Sequence, residues 1–240
     1  MSTFSEIINW ENVFKQSNNF QSSKPFKFAF IDGFFKEDFY EKLYASYPKF
    51  DNSWDHITTY DKNHLSKKWA NTSEHGVVLE GDDLSLGTEW NLLKQYASTK
   101  QFSDNFKKFA NVPVSKLKHF HYIGMTQGGF QLPHFHNVGP STLIIMAYFS
   151  KGWKKGDPGA TYVASDIDES SILFEPYNLD NTMVIFQDSP NAIHGARYLE
   201  KDIERKALQI TLEEWSSETG WSGGDPDKLL ETQKQELIEL

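Results

Sequence analysis

The spacing of hydrophobic positions changes character near residue 116. Before that point the pattern is helical in several places. Phe35, Phe39, Leu43 and Tyr47 recur every fourth residue and predict a helix over 36–47, stopped by Pro48. Residues 88–96 and 103–110 predict two more, with Thr88 and Ser103 as N-caps. A short amphipathic piece with Phe4, Ile7, Ile8 and Val13 opens the chain, and a polar loop follows over 17–23. Residues 26–31 alternate as a strand, with Phe26, Phe28 and Phe30 on one face and Asp32-Gly33 ending it. Residues 51–87 scatter Trp54, Tyr60 and Trp69 among polar residues and glycines. They read as covering loops, with His56, His64 and His75 as surface histidines.

From Lys116 onward the pattern alternates. Leu117, His119 and His121 share one parity, Phe120 and Tyr122 the other. Residues 141–149 are nearly all apolar, as in a strand buried on both faces. Short strands follow at 161–163, 172–174, 182–186 and 206–213, separated by turn signals such as Asp157-Pro158-Gly159 and Ser189-Pro190-Asn191. Many short strands with turns between them indicate a sandwich, jelly roll or barrel. A loop over 216–224 leads to Asp225-Pro226, an N-cap and first-turn pair that opens a C-terminal helix. The expected organisation is a single domain, 1–240. Helical and loop support occupies 1–115, the β core 116–215, and a loop and helix 216–240. The class is mainly β with flanking helices.

Composition narrows the chemistry. The net charge is −9 and no basic tract interrupts it, which argues against nucleic acid and anionic membrane surfaces as partners. No apolar run is long enough to span a bilayer, and the first residues do not read as a signal peptide. A cytoplasmic protein is the expectation; the pattern does not decide between monomer and homodimer. There is no cysteine, so a bound metal must be held by nitrogen and oxygen.

The candidate metal ligands follow from strand geometry. In an extended Pro133 to His136, His134 and His136 face one way and Phe135 the other. His194 arrives far downstream, as a ligand carried by a distant strand would. Arg205 follows it. An oxygenase iron site commonly uses two histidines and one carboxylate, leaving open positions opposite them. Here His136 stands where the carboxylate is expected. A third neutral imidazole would leave the metal its full double charge and strengthen its hold on an anionic co-substrate. His119 and His121 read as inward-facing barrel residues that could line a substrate pocket.

The ordered set of Gly128, Leu132-Pro133-His134, His136, the loop 153–159, Asn181 through Phe186, His194-Gly195-Ala196-Arg197 and Arg205 resembles the 2-oxoglutarate and Fe(II)-dependent oxygenases of the prolyl 4-hydroxylase-like group. The resemblance implies a double-stranded β-helix, or jelly roll, with N-terminal helices packed on one sheet. It implies iron on His134, His136 and His194, and Arg205 gripping the distal carboxylate of 2-oxoglutarate. It also implies hydroxylation of a C–H bond in a small molecule, sugar or protein side chain, with O2 consumed and CO2 and succinate released. The family often has a hydroxyl two positions after the arginine, where this chain has Ala207; Tyr148 and Tyr122 are the candidates to replace its hydrogen bond. Halogenating relatives keep the third ligand position small, which a histidine does not. Two alternatives stand beside this reading. One is a cupin-type metalloenzyme with three histidines and no 2-oxoglutarate, although the expected glutamate is missing from 138–146. The other is a non-catalytic metal-binding jelly roll.

Overall fold

The computed structural model describes residues 4–136 and 138–224. The helix expected from Asp225 lies outside the described residues. Four long strands form the centre of one antiparallel sheet: β4 (Lys116–Met125), β6 (Thr142–Ser150), β9 (Leu179–Gln187) and β11 (Arg205–Glu213). Before them come β1 (Phe28–Asp32), β2 (Asp55–Thr58) and β3 (Lys62–Lys68). Between and after them lie β5 (Phe130–His134), β7 (Thr161–Ala164), β8 (Ile172–Phe174) and β10 (Ile193–Ala196). The order across the sheet is β1-β9-β6-β11-β4-β3-β5-β10-β7-β8, with β2 paired to β3. The sheet curls until its two ends meet. Phe30 of β1 lies 5.6 Å, ring to ring, from Phe174 of β8. The result is a double-stranded β-helix, or jelly roll.

The pleat gives the central strands two apolar faces, because neighbouring residues point opposite ways. On one face Ile145, Ala147, Ile185, Leu208 and Ile210 join a core roofed by helices. On the other, Met146, Tyr148, Val184, Phe186 and Ala207 form a second core inside the curl. The roof consists of α1 (Trp10–Lys15), α2 (Ser17–Ser22), α3 (Glu37–Ala45), α4 (Thr88–Ala97) and α5 (Lys100–Ala110). Beneath it Trp90 packs edge-on against Tyr122 and Phe149, with ring centroids 5.0 and 5.1 Å apart. Tyr47 stitches roof to sheet: its hydroxyl donates to the Ala207 carbonyl at 2.8 Å and accepts from the Ala207 amide at 3.1 Å.

Several expectations need correction. Residues 51–87 are not only loops, since β2 and β3 lie there and β3 bridges β4 and β5. The polar loop expected over 17–23 is α2, held by the buried Phe20. The N-caps shift. Gly87 precedes α4 without a side-chain cap, and Thr99, not Ser103, caps α5 by accepting from the Phe102 amide at 3.2 Å. A short hairpin, β12 (Trp215–Ser216) with β13 (Gly220–Trp221), occupies part of the expected 216–224 loop. The parity in β4 also breaks. The register slips opposite Lys118, so His119 pairs with Thr211 while Leu117 pairs with Leu212. One extra residue in a strand flips the sequence beyond it to the other face. Leu117 therefore joins Phe120 and Tyr122 under the helices, whereas His119 and His121 face the interior of the curl.

Candidate metal centre

Backbone pairing builds the site. β10 lies between β5 and β7, and His194 is the register partner of His134 on one side and of Val163 on the other. This close approach needs a glycine next to His194. A Cβ at Gly195 would run into the Tyr162 hydroxyl and come within 2.7 Å of the Gln131 carbonyl oxygen. His136 lies just past the end of β5. The loop after it is pinned by Asp188, whose Oδ2 accepts from the amides of Val138 and Gly139, each at 2.8 Å. The three imidazoles converge. Ring centroids are 4.2 Å apart for His134 and His194, 4.9 Å for His136 and His194, and 5.1 Å for His134 and His136. One nitrogen from each falls within 4.8 Å of the others, and no carboxylate joins the set among the described residues.

The protonation pattern suits a cation. His134 Nδ1 lies 3.0 Å from the Leu132 carbonyl oxygen, and His194 Nδ1 lies 2.8 Å from that of Ala192. Only a protonated nitrogen can make such a bond, so the neutral ring presents a bare Nε2, the arrangement usual for metal-bound histidine. On His134 that lone pair currently accepts from Gln131 Nε2 at 3.2 Å, a contact that a cation would displace. Burial, reinforced by the neighbouring histidines, pushes His194 well below the usual histidine range. Burial, then His134 and Lys62, pushes His136 down to about 4. His134 is also lowered, chiefly by burial. Phe186 covers His194, with ring centroids 4.5 Å apart. Three neutral nitrogens with no sulfur suit iron, nickel, copper or zinc.

The triad borders a cavity of about 200 Å³ whose wall also includes His64, Gln131, Thr161 and Gln209. Behind Thr161 lies Arg205, 1% exposed. Its Nη2 donates to Thr161 Oγ1 at 2.8 Å, and its guanidinium carbon stands 5.4 Å from the centre of the Tyr148 ring. The Tyr148 hydroxyl accepts from the Thr161 amide at 3.2 Å. Arg205 Nε and Nη1 have no partner, and no carboxylate pairs with Arg205 among the described residues. A buried guanidinium without an anion is costly.

The structure thus brings together His134, His136 and His194, and sets Arg205 and Tyr148 behind the same cavity. It does not bring Tyr122 there. Tyr122 stands on the helix side of β4, in the aromatic core, with its hydroxyl unpartnered among the described residues. Sequence reading missed Thr161, Gln131, Asp188 and His64. Thr161 opens a strand that was expected, and its parity relative to Val163 was the available signal. His64 is 8% exposed, with Nδ1 unpartnered among the described residues, in a strand too polar to be recognised.

No protein-family model matches the chain, and no curated protein matches it in sequence. Solved structures do match. A prolyl 4-hydroxylase from Pseudomonas putida superposes with a TM-score of 0.61 at 12% identity, over 84% of this chain and 98% of that one. A prolyl hydroxylase from Trichoplax adhaerens gives 0.55 at 12%, over 85% and 88%. HygX from Streptomyces hygroscopicus, with nickel and 2-oxoglutarate bound, gives 0.53 at 10%, over 86% and 89%. The fold is that of the 2-oxoglutarate and Fe(II) oxygenases. The jelly roll shared with these oxygenases places the three histidines inside its curl, in the second core's half of the sheet.

Proposed function

We propose that the protein is a 2-oxoglutarate- and Fe(II)-dependent oxygenase that hydroxylates a C–H bond. The observation that carries this reading is Arg205. It is a buried cation whose Nε and Nη1 have no partner among the described residues, one hydroxyl away from a cavity that holds three metal-competent histidines. A dicarboxylate that chelates a metal at one end and ends in a second carboxylate answers both needs. Arg205 is suited to a charge-assisted, forked bond to that carboxylate. Thr161 adds the hydroxyl that the chain lacks at Ala207, and Tyr148 orients Thr161 through its amide.

His134, His136 and His194 would hold the iron, and Phe186 shields His194 on one side. Iron and 2-oxoglutarate bound there would supply the oxidant for transfer of one oxygen atom from O2 to a C–H bond, with CO2 and succinate released. Because the three ligands are neutral, the metal's full charge is left to attract the keto acid. Three histidines are also the ligand set of one kind of catalytic zinc centre, but that reading gives Arg205 no task.

The test is anaerobic addition of Fe(II) and then 2-oxoglutarate to the apo-protein, followed by visible absorption. A weak charge-transfer band that is absent in Arg205→Ala supports the reading. Tight metal binding with no band in the wild type would reject it in favour of a cupin-like or non-catalytic metal site.

A further inference from the structure

A second cavity, of about 630 Å³, adjoins the metal centre and shares His121, His136, Ile144 and Gln209 with the first. Its size is that of a typical small-molecule site. Its floor is a polar patch made by two neighbouring register pairs, His121 with Gln209 and His119 with Thr211. Cross-strand partners stand about 5 Å apart at Cβ, so the four side chains form one surface. Ile144, Val138 and the half-exposed Phe135 supply an apolar wall.

The patch is short of partners. Gln209 Nε2 reaches Thr211 Oγ1 at 3.4 Å, and among the described residues neither His119 nor His121 makes a hydrogen bond. Burial pushes His119 down to about 3 and His121 to about 4, so both rings are neutral near pH 7. The two charged groups on this wall cancel. Lys118 Nζ donates to Glu213 Oε2 at 2.5 Å, with both side chains buried, and Glu213 Oε1 accepts from the Gly223 amide at 2.6 Å.

Neutral imidazole, carboxamide and hydroxyl each both donate and accept. A carboxylate uses only donors and an ammonium only acceptors, whereas an alcohol uses both. Among the described residues that line this cavity, no charge is left free to meet a net charge brought into it. From these features we infer that the second cavity recognises an uncharged, polyhydroxylated ring compound of carbohydrate type, whose hydroxyls bond to His119, His121, Gln209 and Thr211 while its C–H face lies on Phe135 and Ile144. The inference rests on the oxygenase reading, for which this compound is the substrate.

The experiment is saturation-transfer NMR on the full chain, with and without Ni(II) and 2-oxoglutarate. The probes are methyl glucoside, sucrose and myo-inositol, set against glucuronate and glucosamine. Transfer is expected to at least one neutral probe. Binding should weaken by about tenfold or more in both Gln209→Leu and His119→Phe, as loss of hydrogen bonds to a buried hydroxyl predicts. It should also be weaker for the charged probes. Thermal melting identifies any variant that fails to fold, and the other variant then decides. No transfer to any neutral probe, equal or tighter binding of the charged probes, or unchanged binding in the folded variants would overturn the inference. Loss of the Fe(II)–2-oxoglutarate band with carbohydrate transfer intact would instead reject the oxygenase reading and leave a carbohydrate-binding cavity.

Discussion

His134 and His194 are register partners across β5 and β10, and their rings stand 4.2 Å apart at the centroids. Two metal-competent histidines are thus fixed by backbone hydrogen bonding rather than by the side chains alone. His136 has no such partner strand and depends on the loop that Asp188 anchors.

This difference predicts a graded response to substitution. His134→Ala and His194→Ala should each lower Fe(II) or Ni(II) affinity by more than the about 100-fold that loss of a supporting residue costs. Asp188→Ala frees the loop that holds His136 and should cost about 10- to 100-fold. His136→Ala should cost about 100-fold, at the boundary of the two. Competition with a coloured chelator reads all four variants. Full affinity and activity in His136→Ala would remove it from the ligand set.

Arg205 leads to a prediction of opposite sign in two assays. Its guanidinium is buried, with Nε and Nη1 unpartnered and no carboxylate beside it among the described residues, so Arg205→Met removes a charge that no anion offsets. Replacing even a buried ion pair with apolar groups of similar volume is often neutral, or stabilising by about 1–4 kcal/mol, and Arg205 lacks the anion that would offset its burial. The apo-variant should therefore melt at or above the wild-type temperature. The rise in melting temperature that 2-oxoglutarate gives the metal-loaded wild type should vanish. A variant that is less stable as apo-protein and still stabilised by 2-oxoglutarate would show that Arg205 serves packing instead.

Three histidines, His64 buried and His119 and His121 partly buried, make stability depend on acid. Burial depresses His64 to about 4, His119 to about 3 and His121 to about 4, against an unfolded value near 6.5. Below about pH 6.5 the unfolded chain takes up protons that the folded chain refuses, so stability falls as pH falls toward these values. Between pH 6.5 and 5.5 each such histidine should cost about 1 kcal/mol. Urea unfolding of the apo-protein should show this slope, and His121→Gln should flatten it. A stability independent of pH over that interval would mean that these histidines are solvated.

Much of the fold was legible because apolar patterning matches burial. The all-apolar stretch of β6 is buried along its whole length, and Phe39 and Leu43 mark the inner side of α3. The histidine ligands were legible through the alternation of a strand and the order of motifs. Reading failed where polar residues face inward. β3 carries His64 and Ser66 toward the cavity, so its buried side resembles a loop. It failed again at Lys118, where a bulge that leaves no sequence signal reversed the parity of Leu117. Tyr122, a candidate for the hydrogen bond missing at Ala207, differs in parity from His121 and so lies among the aromatic rings. Thr161 supplies instead the hydroxyl beside Arg205, from a strand distant in sequence.

The pairing that sets His134 against His194 depends on Gly195. With a side chain there, Cβ would stand 2.7 Å from the Gln131 carbonyl oxygen and collide with the Tyr162 hydroxyl. The Tyr162 ring can be shortened, but the carbonyl belongs to β5 itself. Gly195→Ala must therefore push β10 away from β5, at about the 1–3 kcal/mol typical of overpacking, and separate the two histidines. Metal affinity should fall together with stability. Adding Tyr162→Leu should recover part of the stability, by removing the hydroxyl and the ring carbon that would also lie 2.7 Å from the new Cβ, but little of the metal affinity, because the carbonyl contact remains. Urea unfolding and chelator competition on the single and double variants test this. Full recovery of metal binding in the double variant would place the constraint at Tyr162 rather than in the backbone of β5.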